Sequence, residues 1–189
     1  KTKITRISEG TFSGCQSLIT VKVPESVTAF ENGAFYECKA LSRVTFAEGS
    51  KLQTIGVQAF ISCDALASIQ LPDSLVYIEG SAFRSCNKLS EIDIPASVLS
   101  VGESAFQECT DLSKVTLHNG TQSIGKEAFF VCGNLSSVTL PESLVSIGES
   151  AFNSCTSLTS VVVPKNIKTI EPNTFRACSS LTNIVLPDS

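Results

Sequence analysis

The side chains in this sequence best able to do chemistry are eight cysteines, a single histidine and a large stock of serine and threonine hydroxyls. Cys15, Cys38, Cys63, Cys86, Cys109, Cys132, Cys155 and Cys178 are spaced 23 residues apart, apart from one interval of 25. An even number of cysteines ordinarily suggests disulfides, but this spacing makes a column with one thiol per repeat. Neighbours in such a column lie about 4.8 Å apart, the spacing of strands in a sheet. Stacked side chains point in parallel and not at each other, which bridge geometry resists. Eight buried thiols acting as small apolar residues with a weak S–H donor are therefore expected. There is no C-x-x-C pair and no second histidine, so no metal site is assigned. His118 is expected at the surface, where a loop begins. An activated hydroxyl nucleophile needs a positioned base, and no motif supplies one. The sequence thus assigns no catalytic residue and no cofactor, and an enzyme is not expected. Asn119-Gly120-Thr121 and Asn134-Leu135-Ser136 match the glycan acceptor pattern, which matters only in a glycosylating secretory pathway.

The elements that must position these residues are copies of one another. Three residues before each cysteine stands a phenylalanine, from Phe12 through Phe106 to Phe175, and three residues after it stands a leucine, from Leu18 to Leu181. A fixed period in this range marks a solenoid, in which stacked units share a core that none could bury alone. Residues 1 to 186 make eight units of about 23 residues, and the 189-residue chain reads as one solenoid domain, excised from a longer array because polar capping units are missing. Within each unit L-x-x-V-x-L alternates and is rich in β-branched residues, which predicts a strand parallel to its counterpart one unit earlier. Proline then ends the ladder, as at Pro72, Pro95 and Pro141. A second apolar column, Ile55 and Ile78 among its members, predicts another short strand. Gly56, Gly102, Gly125 and Gly148 follow at a turn that a β-carbon could hinder, although Glu31 and Glu79 fill the same slot elsewhere. Phe, Cys and Leu at successive threes suit one helical turn leading back inward. The one insertion, within Ala47–Lys51, is expected to bulge at the strand exit without disturbing the core columns.

Composition excludes several classes of function. A net charge of -4 gives no basic footprint for nucleic acid. No run approaches the roughly 18 apolar residues of a membrane span. The charged content of 17% is low because Ser and Thr fill many surface positions instead.

The pattern L-x-x-[VI]-x-[LVI]-P-x-S-[LV]-x-x-I-G-x-x-A-F-x-x-C resembles the treponemal-type, BspA-like leucine-rich repeat, and it covers essentially the whole chain. The resemblance implies a leucine-rich-repeat solenoid, a right-handed α/β-type but β-rich coil with a parallel sheet on its concave side. It also implies an extracellular or cell-surface protein that works as an adhesin-like, protein-binding module on a host or neighbouring-cell surface protein. Where a common leucine-rich repeat has an asparagine ladder, this one has cysteine. A structural spacer without its own ligand is the alternative.

Period-two alternation places the residues flanking each central strand position on the concave surface. Lys22, Arg43, Thr45, Ser68, Gln70, Glu91, Asp93, Lys114 and Thr116 form the candidate binding face. It is basic near one end and acidic near the middle, and a sheet of eight strands would run roughly 34 Å. The alternative is a solvated sheet face as scaffold, with a convex patch of Tyr36, Ile61, Phe130 and Val131 as the site. Phe130 is the one phenylalanine of the eleven outside the core columns.

Overall fold

The structure is a computed structural model that describes residues 3–188. It is a parallel β-solenoid built of two strand families. The two-residue strands β1 (Arg6–Ile7), β3 (Ala29–Phe30), β5 (Thr54–Ile55), β6 (Tyr77–Ile78), β8 (Ser100–Val101), β10 (Ser123–Ile124) and β12 (Ser146–Ile147) form one continuous seven-stranded sheet. The longer strands are β2 (Thr20–Val23), β4 (Arg43–Phe46), β7 (Glu91–Ile94), β9 (Lys114–Leu117), β11 (Ser137–Thr139), β13 (Ser160–Val162) and β14 (Asn183–Val185). These do not make the single eight-stranded sheet that alternation predicts. They pair as β2–β4, as β7–β9–β11 and as β13–β14, and Ser68–Leu71 is not a strand at all.

The connection between the two families corrects the expected helical turn, for no helix occurs among the described residues. Residues 79–89 show what replaces it. Ala82 N donates to Glu79 O (3.3 Å), Arg84 N to Ser81 O (3.1 Å), Cys86 N to Phe83 O (3.1 Å) and Leu89 N to Cys86 O (3.0 Å), a staircase of three-residue turns. The amides between them point the other way, into the next coil: Ser81 N donates to Glu103 O, Phe83 N to Ala105 O and Ser85 N to Gln107 O, at 2.7–2.8 Å. Half the donors thus close local turns, and the alternate half stitch coil to coil. Such alternation needs left-handed backbone at two places per coil, here Ser81 (φ 54°) and Ser85 (φ 57°). Most of these positions hold serine or another polar residue, but the second holds Val131 (φ 60°), a conformation that β-branched residues rarely adopt. The I-G glycines serve a different need. Gly102 does not have positive φ, but a β-carbon there would sit 2.5 Å from the carbonyl carbon of Glu79 in the preceding coil.

The core is the set of columns read from the period. Phe35, Phe60, Phe83, Phe106, Phe129 and Phe152 are fully buried and stacked nearly parallel, with centroids 5.1–5.4 Å apart. Phe12 and Phe175 continue the stack but are only half-buried. After the insertion Leu52, Ile55, Ala59 and Phe60 remain fully buried, so the core columns pass it undisturbed. Among the described residues no helix is long and apolar enough to cross a membrane.

Candidate binding surface

The thiols are structural. Seven of the eight cysteines are buried and none is in a disulfide. Each buried Sγ donates to the carbonyl of the ladder phenylalanine in the preceding coil, as Cys86 does to Phe60 O (3.1 Å) and Cys109 to Phe83 O (3.1 Å). That oxygen already accepts the Cys86 amide in the case of Phe83, so the thiol fills its second lone pair inside the core. Burial pushes the Cys109 thiol up to about 12 and holds Cys86 and Cys132 well above the ordinary thiol value. These groups therefore stay protonated and unreactive. Cys15 corrects the expectation of eight buried thiols, because it is exposed. Hydroxyls form similar ladders: Ser113 Oγ donates to Ser90 O (2.9 Å), and Ser136 Oγ to Ser113 O (3.2 Å).

The long-strand face carries the predicted residues as alternation requires. Lys22, Arg43, Thr45, Ser68, Gln70, Glu91, Asp93 and Lys114 are exposed, and Thr116 is half-buried. The parallel register sets Lys22 beside Thr45, Glu91 beside Lys114 and Asp93 beside Thr116. The basic pair on β2 and β4 and the acidic pair on β7 sit on different sheet pieces, separated by Ser68–Leu71. Sequence reasoning missed that separation. Its signals were the two extra residues within Ala47–Lys51 and Phe46, which is bulkier than Ile94 or Leu117 at the same point of the coil.

His118 was also incompletely read. It is exposed, as expected, but its Nε2 lies 2.7 Å from Asp93 Oδ1. It stands where most units have proline, and its own amide donates to Ile94 O (3.2 Å), a bond proline could not make. The sequon hydroxyl of Thr121 is buried and donates to Val98 O (3.0 Å).

On the opposite, turn-bearing side Tyr36, Ile61, Phe130 and Val131 are all half-buried. They do not form one patch. Arg84 and Gln107 occupy the column between Ile61 and Phe130, and both are tied to Glu108: Arg84 at 3.3 Å, with Ser85 Oγ at 2.9 Å, and Gln107 Nε2 at 3.3 Å. A charged network thus divides the apolar residues.

A stacked parallel β-coil with a leucine and a phenylalanine ladder defines the class as a leucine-rich-repeat solenoid. The model of the BspA-type leucine-rich repeat region matches residues 1–113 and 100–189, in six copies. The chain belongs to the BspA-type leucine-rich repeat family. The leucine-rich repeat protein of Treponema pallidum is 35% identical, with a TM-score of 0.78 over 82% of this chain and 72% of that one. A leucine-rich cell-surface protein of Faecalibacterium prausnitzii is 21% identical, with a TM-score of 0.59 over 98% of this chain and 84% of that one. A leucine-rich repeat protein of Eubacterium ventriosum, 22% identical, has a TM-score of 0.59 over 94% of this chain and 63% of that one. A search of curated proteins gives no match.

Proposed function

We propose that this chain is a protein-binding module of a cell-surface or secreted protein, and that the long-strand face is its contact surface. The single observation that carries this reading is the order of exposed charge on that face, with Lys22 and Arg43 on one sheet piece and Glu91 and Asp93 on the next. Side chains fixed by strand register hold such an order at constant spacing, which suits a macromolecule presenting the complementary order. Family membership supports the reading, as does the cell-surface description of the Faecalibacterium protein. Hot-spot residue types are sparse, with Arg43 alone among the face residues, so affinity should be modest.

The test is capture of extracellular-matrix proteins, followed by separate charge reversals, Arg43→Glu and Glu91→Lys. Each reversal is expected to slow association and reduce its salt dependence, because exposed charges act mainly on encounter. If neither reversal has an effect while Phe130→Ser weakens capture, the long-strand face is scaffold. If no matrix protein is captured and an unrelated rod replaces the repeats without loss of adhesion, the chain is a spacer.

A further inference from the structure

The two-residue insertion leaves the core alone but reshapes the surface beside β4. Ala47 stands at the proline position of its coil, so its amide can donate, and it does so backwards, to Val23 O (3.0 Å). Lys51 N likewise donates to Glu25 O (3.1 Å), and Lys51 Nζ pairs with Glu25 Oε1 (2.8 Å). The loop is thus tied to the coil before it. Pro72, in the coil after it, has no N–H with which to repeat the bond that Ala47 makes to Val23 O and His118 to Ile94 O. Among the described residues no hydrogen bond joins Ala47–Lys51 to Gln70–Ser74, and Ser74 Oγ reaches only the foot of the loop, at Leu52 O (2.8 Å).

A cleft of 630 Å³ opens between the loop and Gln70–Ser74, at the exit end of β4. Its size lies inside the range of about 300–1,000 Å³ that ligand pockets occupy. Phe46 lines it and differs from its counterparts. Val23, Ile94 and Leu117 are 3%, 0% and 2% exposed, whereas Phe46 is half-buried, its ring resting on Phe30 with centroids 6.2 Å apart. The ring is larger than the aliphatic side chains that fill this point elsewhere, so part of it stays outside the core. The charged residues lining the cleft are Glu48 and Asp73, both exposed, and neither belongs to an ion pair among the described residues. Lys51 is held by Glu25, and Lys22 flanks Thr45 on the opposite side of β4 from the cleft.

An aromatic surface beside two unpaired carboxylates selects a cation that can both stack and pair. A guanidinium is planar, weakly hydrated and presents paired donors to a carboxylate, whereas an ammonium is a strongly hydrated point charge. We propose that this cleft is the anchor pocket for an arginine side chain of the partner protein, with its guanidinium against Phe46 and the carboxylates of Glu48 and Asp73 around it. Buried arginines are among the residues that dominate protein interfaces. The proposal rests on the long-strand face being the binding surface and specifies the anchor at its rim. Acidic groups of the partner meet Lys22 and Arg43, and its arginine enters the hollow on the other side of β4.

The probe is a blocked peptide of glycine, arginine and glycine, compared with its lysine and citrulline analogues and titrated into isotope-labelled protein by NMR. The arginine peptide should move the amide signals of Gly49, Ser50 and Asp73. Citrulline keeps the shape without the charge and should bind about tenfold more weakly, and Glu48→Gln and Asp73→Asn should each weaken the arginine peptide about threefold. Phe46→Leu, which repeats the side chain found at Leu117, should weaken it about threefold, to the level of the lysine peptide. Equal binding of the citrulline and arginine peptides, or signals that move only in other coils, overturns the pocket. Equal binding of the lysine peptide together with an unaffected Phe46→Leu variant overturns arginine as its occupant. If the arginine peptide does not bind while Arg43→Glu or Glu91→Lys still alters capture of a matrix protein, the cleft is not the anchor but the face remains the binding surface. If those reversals also have no effect, both readings fail.

Discussion

At the scale of single residues, stability concentrates in side chains that repeat. Phe106 is fully buried between two parallel rings, 5.2 Å from Phe83 and 5.4 Å from Phe129. Phe106→Ala should therefore cost about 3–5 kcal/mol, as a cavity that two rigid neighbours cannot collapse into. A urea titration showing a loss below about 1 kcal/mol would mean that the ladder is not a packed spine. The thiols make a second prediction. Their folded values are raised, chiefly by burial, so an unfolded chain sheds their protons at lower pH than the folded one. Stability from this source is fully present below the unfolded thiol value of about 8.5 and falls as pH rises towards the folded values, by about 1.4 kcal/mol per pH unit for each buried thiol. With seven buried thiols, urea midpoints under reducing conditions should be flat from pH 6 to 8 and drop steeply above about pH 9. A flat profile to about pH 10 would show that the thiolates are tolerated in the fold.

At the scale of the element, the apolar columns and the two strand positions were legible because each repeat restates them. The turn was not. Phe, Cys and Leu at successive threes fit a helix, but they also fit a staircase of turns in which every third step faces inward. Side-chain spacing cannot distinguish the two, since the difference lies in where the alternate amides go. Here Ser81, Phe83 and Ser85 send theirs to the next coil. The glycines and serines beside Phe, such as Gly10, Gly33, Ser81, Ser104 and Ser150, were the available hint, because helix interiors disfavour both. The I-G glycine was legible as a place where a β-carbon could hinder, and close approach to the preceding coil is the reason. Gly102→Ala should therefore destabilise by roughly 1–3 kcal/mol, although alanine favours regular structure. Unchanged stability by thermal unfolding would show that adjacent coils can separate there at little cost.

At the scale of the whole molecule, the array is held by different means on its two sides. The short strands make an unbroken seven-stranded sheet, while the long strands form three pieces. Alternation placed Lys22, Arg43, Glu91 and Asp93 on one surface correctly, because outward direction depends only on parity within a strand. It could not reveal that the ladder lapses at Ser68–Leu71, since pairing depends on the spacing of neighbouring coils, and Ser68-Ile69-Gln70-Leu71 reads like any other strand. The period itself sets Arg84 and Gln107 between Ile61 and Phe130, and the structure adds that both are tied to Glu108.

The central claim is that partners are bound on the long-strand face, and carbodiimide footprinting tests it most directly. Free and partner-bound protein would be labelled at exposed carboxylates and mapped by mass spectrometry. Glu91 and Asp93 should be protected in the complex, while Glu103 and Glu149, exposed on the turn-bearing side, should label as in the free protein. Protection of Glu103 and Glu149 with full labelling of Glu91 and Asp93 would contradict the account.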